Sequence, residues 1–299
     1  MPELLAVGET MLALTPLDGG IDVAASYRAA IAGGESNVAV HVAAHGYSAG
    51  WASRVGADAV GRRLVAELEE RGVDCSLVRV DADAPTGLML KDPCAEGTTV
   101  LYYRAGSAAS RMLPGTVPAT AVAEARVVHV TGVTPALSTG CGAMIDSLFA
   151  EAAAADTLVS FDVNFRPALW KERSACEVLA SYARRADLCF VGRDEAEALW
   201  GTHSPHDIRA HLPEPTVLVV KDGALGATAF ERDEPAVFEP ALHVDVVEPV
   251  GAGDAFAGGY LAGLLGGKPA EECLRLGHAA AARVLVTVED LPPLEETAR

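Results

Sequence analysis

The sequence contains few basic residues. Lys and Arg number 23 against 41 Asp and Glu, which gives a formal net charge of −18 at pH 7. A chain this acidic is a poor ligand for a nucleic-acid backbone or an anionic membrane surface, so we expect neither as its main partner. An anionic small molecule is still compatible with this charge, because a few well-placed Arg side chains can override it locally.

Long hydrophobic runs and paired cysteines are also missing. No stretch of about 18 or more residues is continuously apolar, so no membrane span is expected. The N-terminal run MPELLAVGE has no basic region of the kind that begins a signal peptide. The six cysteines include no C-x-x-C pair, and we interpret them as reduced and buried rather than as disulfides or a zinc site. These absences together predict a cytoplasmic protein.

Several familiar catalytic motifs are absent as well. The sequence has no G-x-x-x-x-G-K-[ST] loop, no protein-kinase H-R-D or D-F-G and no G-x-S-x-G elbow. His41 and His45 are four residues apart on one helical pattern, but that pattern is otherwise apolar, which favours packing over metal binding. A dinucleotide fingerprint at 251–256 is also disfavoured, because it lies near the C-terminus and is followed by a helical pattern instead of a βαβ unit.

Half of the 299 residues are hydrophobic, and strand-like runs alternate with helical patterns. This alternation predicts an α/β fold with a mainly parallel sheet flanked by helices. Strands are predicted at 4–7, 48–55, 126–132, 158–164, 187–192 and 216–223. Helices are predicted at 35–45, 58–72, 139–155, 173–186, 194–200, 251–266 and 269–286.

Two segments, about 11–31 and 86–104, interrupt the alternation. They contain strand-like runs at 11–16, 86–92 and 99–104 with no helix between the members of each group. We expect them to form a small antiparallel or mixed sheet that acts as a lid over the C-terminal edge of the main sheet, where open α/β folds bind ligands. Gly33 and Gly34 would provide its hinge.

The stretch 248-EPVGAGDAFAGGYLAGL-264 places two glycines and an alanine before Asp254 and a helical pattern. One interpretation is simply a helix that begins with an acidic residue in its first turn. The other is an anion-binding site, because backbone N–H groups converge at such a turn and at the helix N-terminus. A carboxylate beside bound phosphate would then have a chemical task, such as accepting a proton from an attacking hydroxyl.

Polar residues also follow other predicted strands. Asp162, Asn164 and Arg166 alternate at the end of one strand, Arg104 follows an aromatic pair in the lid, and 219–230 contains a glycine turn between two strands. Parallel sheets place functional groups at such strand ends. Taken alone, each of the first two segments is equally explained by an ordinary surface feature, and a plain β-turn is the favoured interpretation of 219–230.

Together, 33-GGESNVAVHVAAHG-46, 219-VVKDGALGA-227 and 249-PVGAGDAFAGGY-260 resemble the ribokinase-like (PfkB) carbohydrate kinases in order and spacing over nearly the whole chain. Gly8-Glu9, 102-YYRAGSA-108, 132-GVTPALS-138 and 161-FDVNFRPALW-170 are similar to the members that phosphorylate the sugar acid 2-keto-3-deoxygluconate. The resemblance implies a single ribokinase-like domain over 1–299, a β lid through which the chain forms a homo-oligomer, and ATP and magnesium as cofactors.

The resemblance also assigns roles to residues. Asp254 would be the catalytic base, with Gly251, Ala252 and Gly253 forming the anion hole, and Glu195 would serve magnesium. The substrate would contact Gly34, Asn37, Tyr102, Tyr103, Arg104, Arg166, Asp254 and Asp290. ATP would contact Asn164, Arg166, Lys221, Gly223, Ala224, Gly226, Ala227 and Gly253.

Two positions depart from the family pattern. Gly192 stands where the N-x-x-E magnesium motif has Asn, and Met89 stands where a lid tyrosine is expected. A kinase for a neutral sugar such as fructose or ribose therefore remains an alternative. More distant alternatives are a non-catalytic sugar-acid-binding protein and a nicotinamide enzyme.

Overall fold

The computed structural model describes residues 2–94, 97–170, 174–287 and 291. Its strands are β1 (Leu4–Val7), β2 (Met11–Pro16), β3 (Tyr27–Ala32), β4 (Ala49–Ala52), β5 (Arg54–Gly56), β6 (Val73–Asp74), β7 (Arg79–Asp81), β8 (Leu88–Cys94), β9 (Gly97–Tyr103), β10 (Val127–Thr131), β11 (Leu158–Asp162), β12 (Leu188–Gly192), β13 (Val217–Lys221), β14 (Gly226–Glu231) and β15 (Val237–Pro240). Its helices are α1 (Gly34–Ala44), α2 (Ala59–Glu70), α3 (Ala119–Glu124), α4 (Thr134–Leu137), α5 (Thr139–Ala155), α6 (Ala175–Arg185), α7 (Arg193–Trp200), α8 (Pro205–His211), α9 (Ala252–Leu265) and α10 (Ala270–Leu285).

The main sheet confirms the predicted α/β fold. Its order is β15-β14-β13-β12-β11-β10-β1-β4-β6 within the described residues. The pairs from β13 through β6 are parallel, while β14 and β15 continue the sheet antiparallel. The carboxyl ends of β10 to β13 therefore meet at one edge.

Helices cover both faces of this sheet because successive strand residues point in opposite directions. In β1, Leu5 and Val7 pack on the side of α3, α5 and α6, whereas Leu4 and Ala6 pack on the side of α1, α9 and α10. Strands buried on both faces explain the continuous apolar runs from which they were predicted.

The second sheet has the order β3-β2-β8-β9. Its strands come from the two segments predicted as the lid. β2 and β3 are antiparallel, β2 and β8 are parallel, and β8 and β9 are antiparallel, so the sheet is mixed.

Some elements were not predicted. They are β3, β6, β7, β15, α3, α4 and α8. Several are very short: β6 has two residues and β7 has three. Runs of this length carry too little periodicity to separate a strand from a turn. The single strand predicted at 48–55 is wrong in part, because the structure has two strands there, and β5 pairs with β7 in a separate two-stranded sheet while β4 stays in the main sheet.

Glycines let α9 pack closely against its neighbours. A Cβ built on Gly258 would lie 2.5 Å from Cβ of His41 in α1, and one on Gly259 would lie 2.5 Å from the backbone oxygen of Leu276 in α10. His41 is buried in this contact, and that burial lowers its pKa to about 4. Tight packing therefore fixes the position of α9, whose N-terminus carries Asp254.

Within the described ranges, none of the helices is both long and apolar enough to cross a bilayer.

Candidate active site

A cleft of about 780 Å³ lies at the carboxyl edge of the main sheet. Its walls come from the lid, the ends of β11 to β13, the start of α9, the segment before α9 and the side of α10. The lining residues include Met89, Val100, Tyr102, Asn164, Arg166, Gly192, Glu195, Lys221, Gly223, Ala224, Gly226, Ala227, Leu242, His243, Val244, Val246, Gly251, Ala252, Gly253, Asp254, Phe256, His278, Ala281 and Ala282.

The N-terminus of α9 opens into this cleft. Gly251 precedes the helix with φ of 87°, a left-handed conformation that favours glycine. Ala252, Gly253 and Asp254 form the first turn, where backbone N–H groups lack helical partners. A Cβ on Gly253 would meet only Nζ of Lys221, at 3.5 Å, so the backbone here is open to close approach. This is the geometry of an anion site at a helix N-terminus.

Asp254 is held by two amides from different elements. Nδ2 of Asn37 in α1 donates to its Oδ2 at 2.9 Å, and Nδ2 of Asn164 donates to its Oδ1 at 3.2 Å. Burial raises the pKa of Asp254 to about 7, with Asp162 adding to the effect and Asn37 and Arg166 opposing it. A carboxyl group with this pKa exchanges a proton near neutral pH, as a general base must.

Asp162, which is buried, and Lys221, which lines the cleft, form an ion pair. Nζ of Lys221 donates to Oδ2 of Asp162 at 2.6 Å. The two residues end β11 and β13, which lie on either side of β12. Burial opposes the charge of Lys221, but the nearby carboxylates of Asp162 and Glu195 outweigh it and raise the pKa of Lys221. The lysine therefore stays charged in the site.

Glu195 connects two strand ends. Its Oε1 accepts from the backbone N–H of Phe165 and its Oε2 from that of Gly192, both at 2.9 Å. Nη1 of Arg166 lies 3.5 Å from Oε1. Burial raises the pKa of Glu195, and the charge of Lys221 works against that rise.

Arg104 is engaged by a buried carboxylate. Its Nε donates to Oε2 of Glu9 at 2.6 Å, its Nη2 contacts the same oxygen, and Oγ of Ser107 donates to Oε1 at 2.6 Å. Only 8% of Arg104 is exposed. The guanidinium also lies 5.5 Å from the centroid of the Tyr102 ring, which does line the cleft.

Three predicted residues remain, and each has a different outcome. Gly34 lies at the site, since a Cβ on it would be 3.4 Å from Nδ2 of Asn164 and 3.7 Å from Oδ1 of Asp254. Tyr103 is 61% exposed and is not among the cleft residues, because neighbouring positions of β9 face opposite sides of the lid. Asp290 lies outside the described residues.

Sequence reasoning missed three features of the site. Glu9 was noted only as part of a motif, and Asp162 only as part of a polar strand end, without partners for either. The run from Leu242 to Val246 was not assigned at all, although Leu242, Val244 and Val246 contribute apolar side chains to the cleft wall. Direct signals existed for the first two, since buried strands that end in a carboxylate are unusual without a partner.

A helix N-terminus, an adjacent buried carboxylate and a lidded α/β sheet define a phosphoryl-transfer enzyme acting on a small hydroxyl compound. The sequence model for pfkB family carbohydrate kinases matches residues 1–296, and the chain belongs to that family. It is therefore a phosphotransferase whose acceptor is a sugar hydroxyl.

Known relatives cover most of the chain. A 2-dehydro-3-deoxygluconokinase of Thermoproteus tenax is 35% identical over 95% of this chain and 89% of its own. A 2-dehydro-3-deoxygalactonokinase of Haloferax volcanii is 33% identical over 94% and 90%. The crystal structure of a PfkB protein from Polaromonas sp. JS666 superposes with a TM-score of 0.88 at 33% identity, covering 97% of this chain and 98% of that one.

Proposed function

We propose that the protein transfers the γ-phosphoryl group of ATP to a hydroxyl of 2-keto-3-deoxygluconate. One observation carries this proposal: Asp254, with a pKa of about 7, lies in the first turn of a helix whose N-terminus opens into the cleft. A base and an anion site in one turn suit a reaction in which a hydroxyl attacks phosphorus. The names of the relatives support the choice of sugar acid.

In this mechanism, Asp254 accepts the proton of the attacking hydroxyl. The N–H groups from Gly251 to Asp254 stabilise the charge of the transferring group, which is the main catalytic contribution expected for phosphoryl transfer. Asn37 and Asn164 hold the carboxylate, and Oδ1 of Asn37 is buried without a partner among the described residues.

The nucleotide would lie along the other half of the cleft. Gly223, Ala224, Gly226 and Ala227 would approach its phosphates and ribose, together with Asn164, Arg166 and Lys221. Its base would lie between the apolar side chains of Leu242, Val244 and Val246 on one side and α10 on the other. The face of α10 concerned carries His278, Ala281 and Ala282. We propose magnesium as the metal, because Asp194 and Glu195 bring carboxylate oxygens to this part of the cleft, and magnesium prefers such ligands. Bound there, it would neutralise phosphate charge.

The substrate carboxylate would be read by arginine. Glu9 occupies Nε and Nη2 of Arg104, and Nη1 has no partner within the described part of the chain. We propose that this remaining edge of the guanidinium, together with Arg166, binds the sugar acid, with Gly34, Tyr102 and Asp290 as further contacts. Tyr103, which is exposed in one subunit, would contribute only in an assembly.

The assembly we propose is a homo-oligomer formed through the lid. Leu101 and Tyr103 lie on the lid face away from the cleft and are 43% and 61% exposed. Large apolar side chains side by side on a strand are typical of a surface that another chain covers. We place the protein in the cytoplasm, where ATP is supplied.

A coupled ADP-release assay over a panel of sugars and sugar acids tests the proposal. We expect kcat/KM to be about 10- to 150-fold higher for 2-keto-3-deoxygluconate than for fructose or ribose, since a charge-assisted contact worth about 1.5–3 kcal/mol discriminates on this scale. A higher value for a neutral sugar would identify a different kinase of the family. Binding of the sugar acid without ADP release would identify a non-catalytic binding protein.

A further inference from the structure

Asp162 is a fully engaged carboxylate at the end of β11. Its Oδ2 accepts from Nζ of Lys221 at 2.6 Å, and its Oδ1 accepts from the backbone N–H of Asn164 at 3.1 Å. It is 1% exposed and is not among the residues that line the cleft. Asp162 thus contacts two residues of the site without reaching the cleft itself.

The bond to Asn164 stabilises an unusual backbone conformation. Asn164 has φ of 38°, in the left-handed region that residues other than glycine rarely adopt. In this conformation its side chain turns back toward α9 and donates to Oδ1 of Asp254. Asp162 therefore determines the direction from which this amide reaches the base.

The hydrogen bond from Lys221 to Asp162 fixes the ammonium group of Lys221 close to Asp254. Nζ of Lys221 lies 3.5 Å from the position that a Cβ on Gly253 would take, directly beside the first turn of α9. A lysine side chain is long and flexible, so its ammonium group stays in one place only when a partner holds it. Here the partner is Asp162.

We infer that Asp162 is a positioning residue for phosphoryl transfer, which acts on Asp254 through Asn164 and Lys221 and touches neither substrate. The inference rests on the proposed role of Asp254 as the base. The charged groups that face Asp254 are Asp162 from β11, Lys221 from β13 and Arg166 from the segment after β11, while α1 contributes the neutral Asn37.

The two members of the pair have opposite charges, and this makes the inference testable by the pH profile of kcat/KM. Asp162→Asn removes a negative charge near Asp254, so the acidic limb should move to lower pH. Lys221→Met removes a positive charge, so the limb should move to higher pH. Each shift should be about half a pH unit or more, and kcat of Asp162→Asn should fall on the order of tenfold because Lys221 is no longer held.

A role in folding alone would give a different result. It would lower the melting temperature of both variants but leave both limbs in place, or move them in the same direction, and either outcome would overturn the inference. The double variant Asp162→Asn/Lys221→Met leaves no unpaired buried charge, so it should fold even where a single variant does not. Its limb should lie between those of the two single variants, and a limb outside that range would also count against the inference.

Asp222→Asn is the matched control. Asp222 is the next residue after Lys221, but its partner is Arg193, whose Nε donates to it at 2.6 Å. Removing this charge should leave the acidic limb and kcat unchanged.

Asp254→Asn separates this inference from the proposed function. If Asp254→Asn keeps full turnover, the base assignment fails. If it is inactive while the pair gives no opposite shifts, only the inference about Asp162 fails.

Discussion

At the scale of single residues, Asp254 and Arg104 show what a sequence can and cannot predict. The glycine-rich turn and helical pattern around Asp254 were sufficient to predict a carboxylate at a helix N-terminus, and the structure has this geometry. The partner of Arg104 could not be predicted, because Glu9 is 95 positions away in sequence and is brought close only when the lid strand β9 meets the end of β1. Long-range pairing of this kind leaves no local pattern.

The charge state of Asp254 predicts a pH dependence. Its pKa is raised to about 7 by burial, so the proton-accepting form dominates above pH 7 and is lost below it. We expect kcat/KM to be flat at higher pH and to fall about tenfold per pH unit below about pH 7. The check is a profile from pH 5 to 9 with nucleotide binding measured in parallel. Constant activity down to about pH 5 would mean that the base has an ordinary carboxyl pKa.

Arg104→Ala should have two separable effects. Loss of a charge-assisted contact worth about 1.5–3 kcal/mol should raise the KM for the sugar acid by about 10- to 150-fold. Loss of the partner of buried Glu9 should also lower the free energy of unfolding by about 3–5 kcal/mol. The double variant Glu9→Gln/Arg104→Met removes both charges, so stability should largely recover while KM stays high. If the KM for the sugar acid recovered together with stability, Arg104 would contribute to folding and not to substrate binding.

At the scale of elements, long sequence patterns were sufficient to predict helices and strands, and short patterns were not. The seven predicted helices all exist, each with ends within a few residues, and the buried strands were predicted from their apolar runs. The parallel pairing of β2 with β8 could not be predicted from the sequence, because lid strands far apart in the chain could pair in either direction. The contact of α9 with α1 and α10 could not be predicted either, because it depends on Gly258 and Gly259 meeting residues that are distant or on another helix.

Two glycines of α9 should therefore respond differently to substitution. Gly259→Ala places a methyl group 2.5 Å from the backbone oxygen of Leu276, which has no room to move, and should lower the free energy of unfolding by about 1–3 kcal/mol. The Cβ of Gly253→Val would meet only Nζ of Lys221, at 3.5 Å, so we expect the free energy of unfolding to change by less than about 1 kcal/mol. Its side chain should nevertheless block the anion site and abolish turnover.

Thermal unfolding and a turnover assay on both variants check this pair. Normal turnover by Gly253→Val would show that phosphate does not approach this turn. Equal stability of Gly259→Ala and the parent chain would show that α9 and α10 are packed more loosely than the structure has them.

At the scale of the whole molecule, the lid has two faces with different surroundings. Met89, Val100 and Tyr102 line the cleft, while Leu101 and Tyr103 point away from it. Alternation along a strand makes this division predictable in outline, but Arg104 and Tyr103 show that neighbouring residues of one motif need not reach the same place. In the proposed oligomer, the lid would connect the cleft to the surface that joins two chains.

The proposed oligomer predicts the behaviour of a charged substitution on that surface. Leu101→Asp should convert the oligomer into a monomer, because a charge at the centre of an apolar interface has no partner. Light scattering coupled to size exclusion measures the change, and Val80→Asp, at an apolar position of β7 that is 67% exposed and lies outside the lid sheet, serves as a control. A monomeric parent chain would contradict the proposal outright.

The most direct test of the account is the turnover of Asp254→Asn with ATP and 2-keto-3-deoxygluconate. Asparagine keeps the size of the side chain and one hydrogen-bond acceptor but cannot take a proton. We predict that kcat falls by about 100-fold or more while the Kd for the nucleotide and the melting temperature stay near those of the parent chain. Near-normal turnover by a folded Asp254→Asn protein would contradict the assignment of Asp254 as the base.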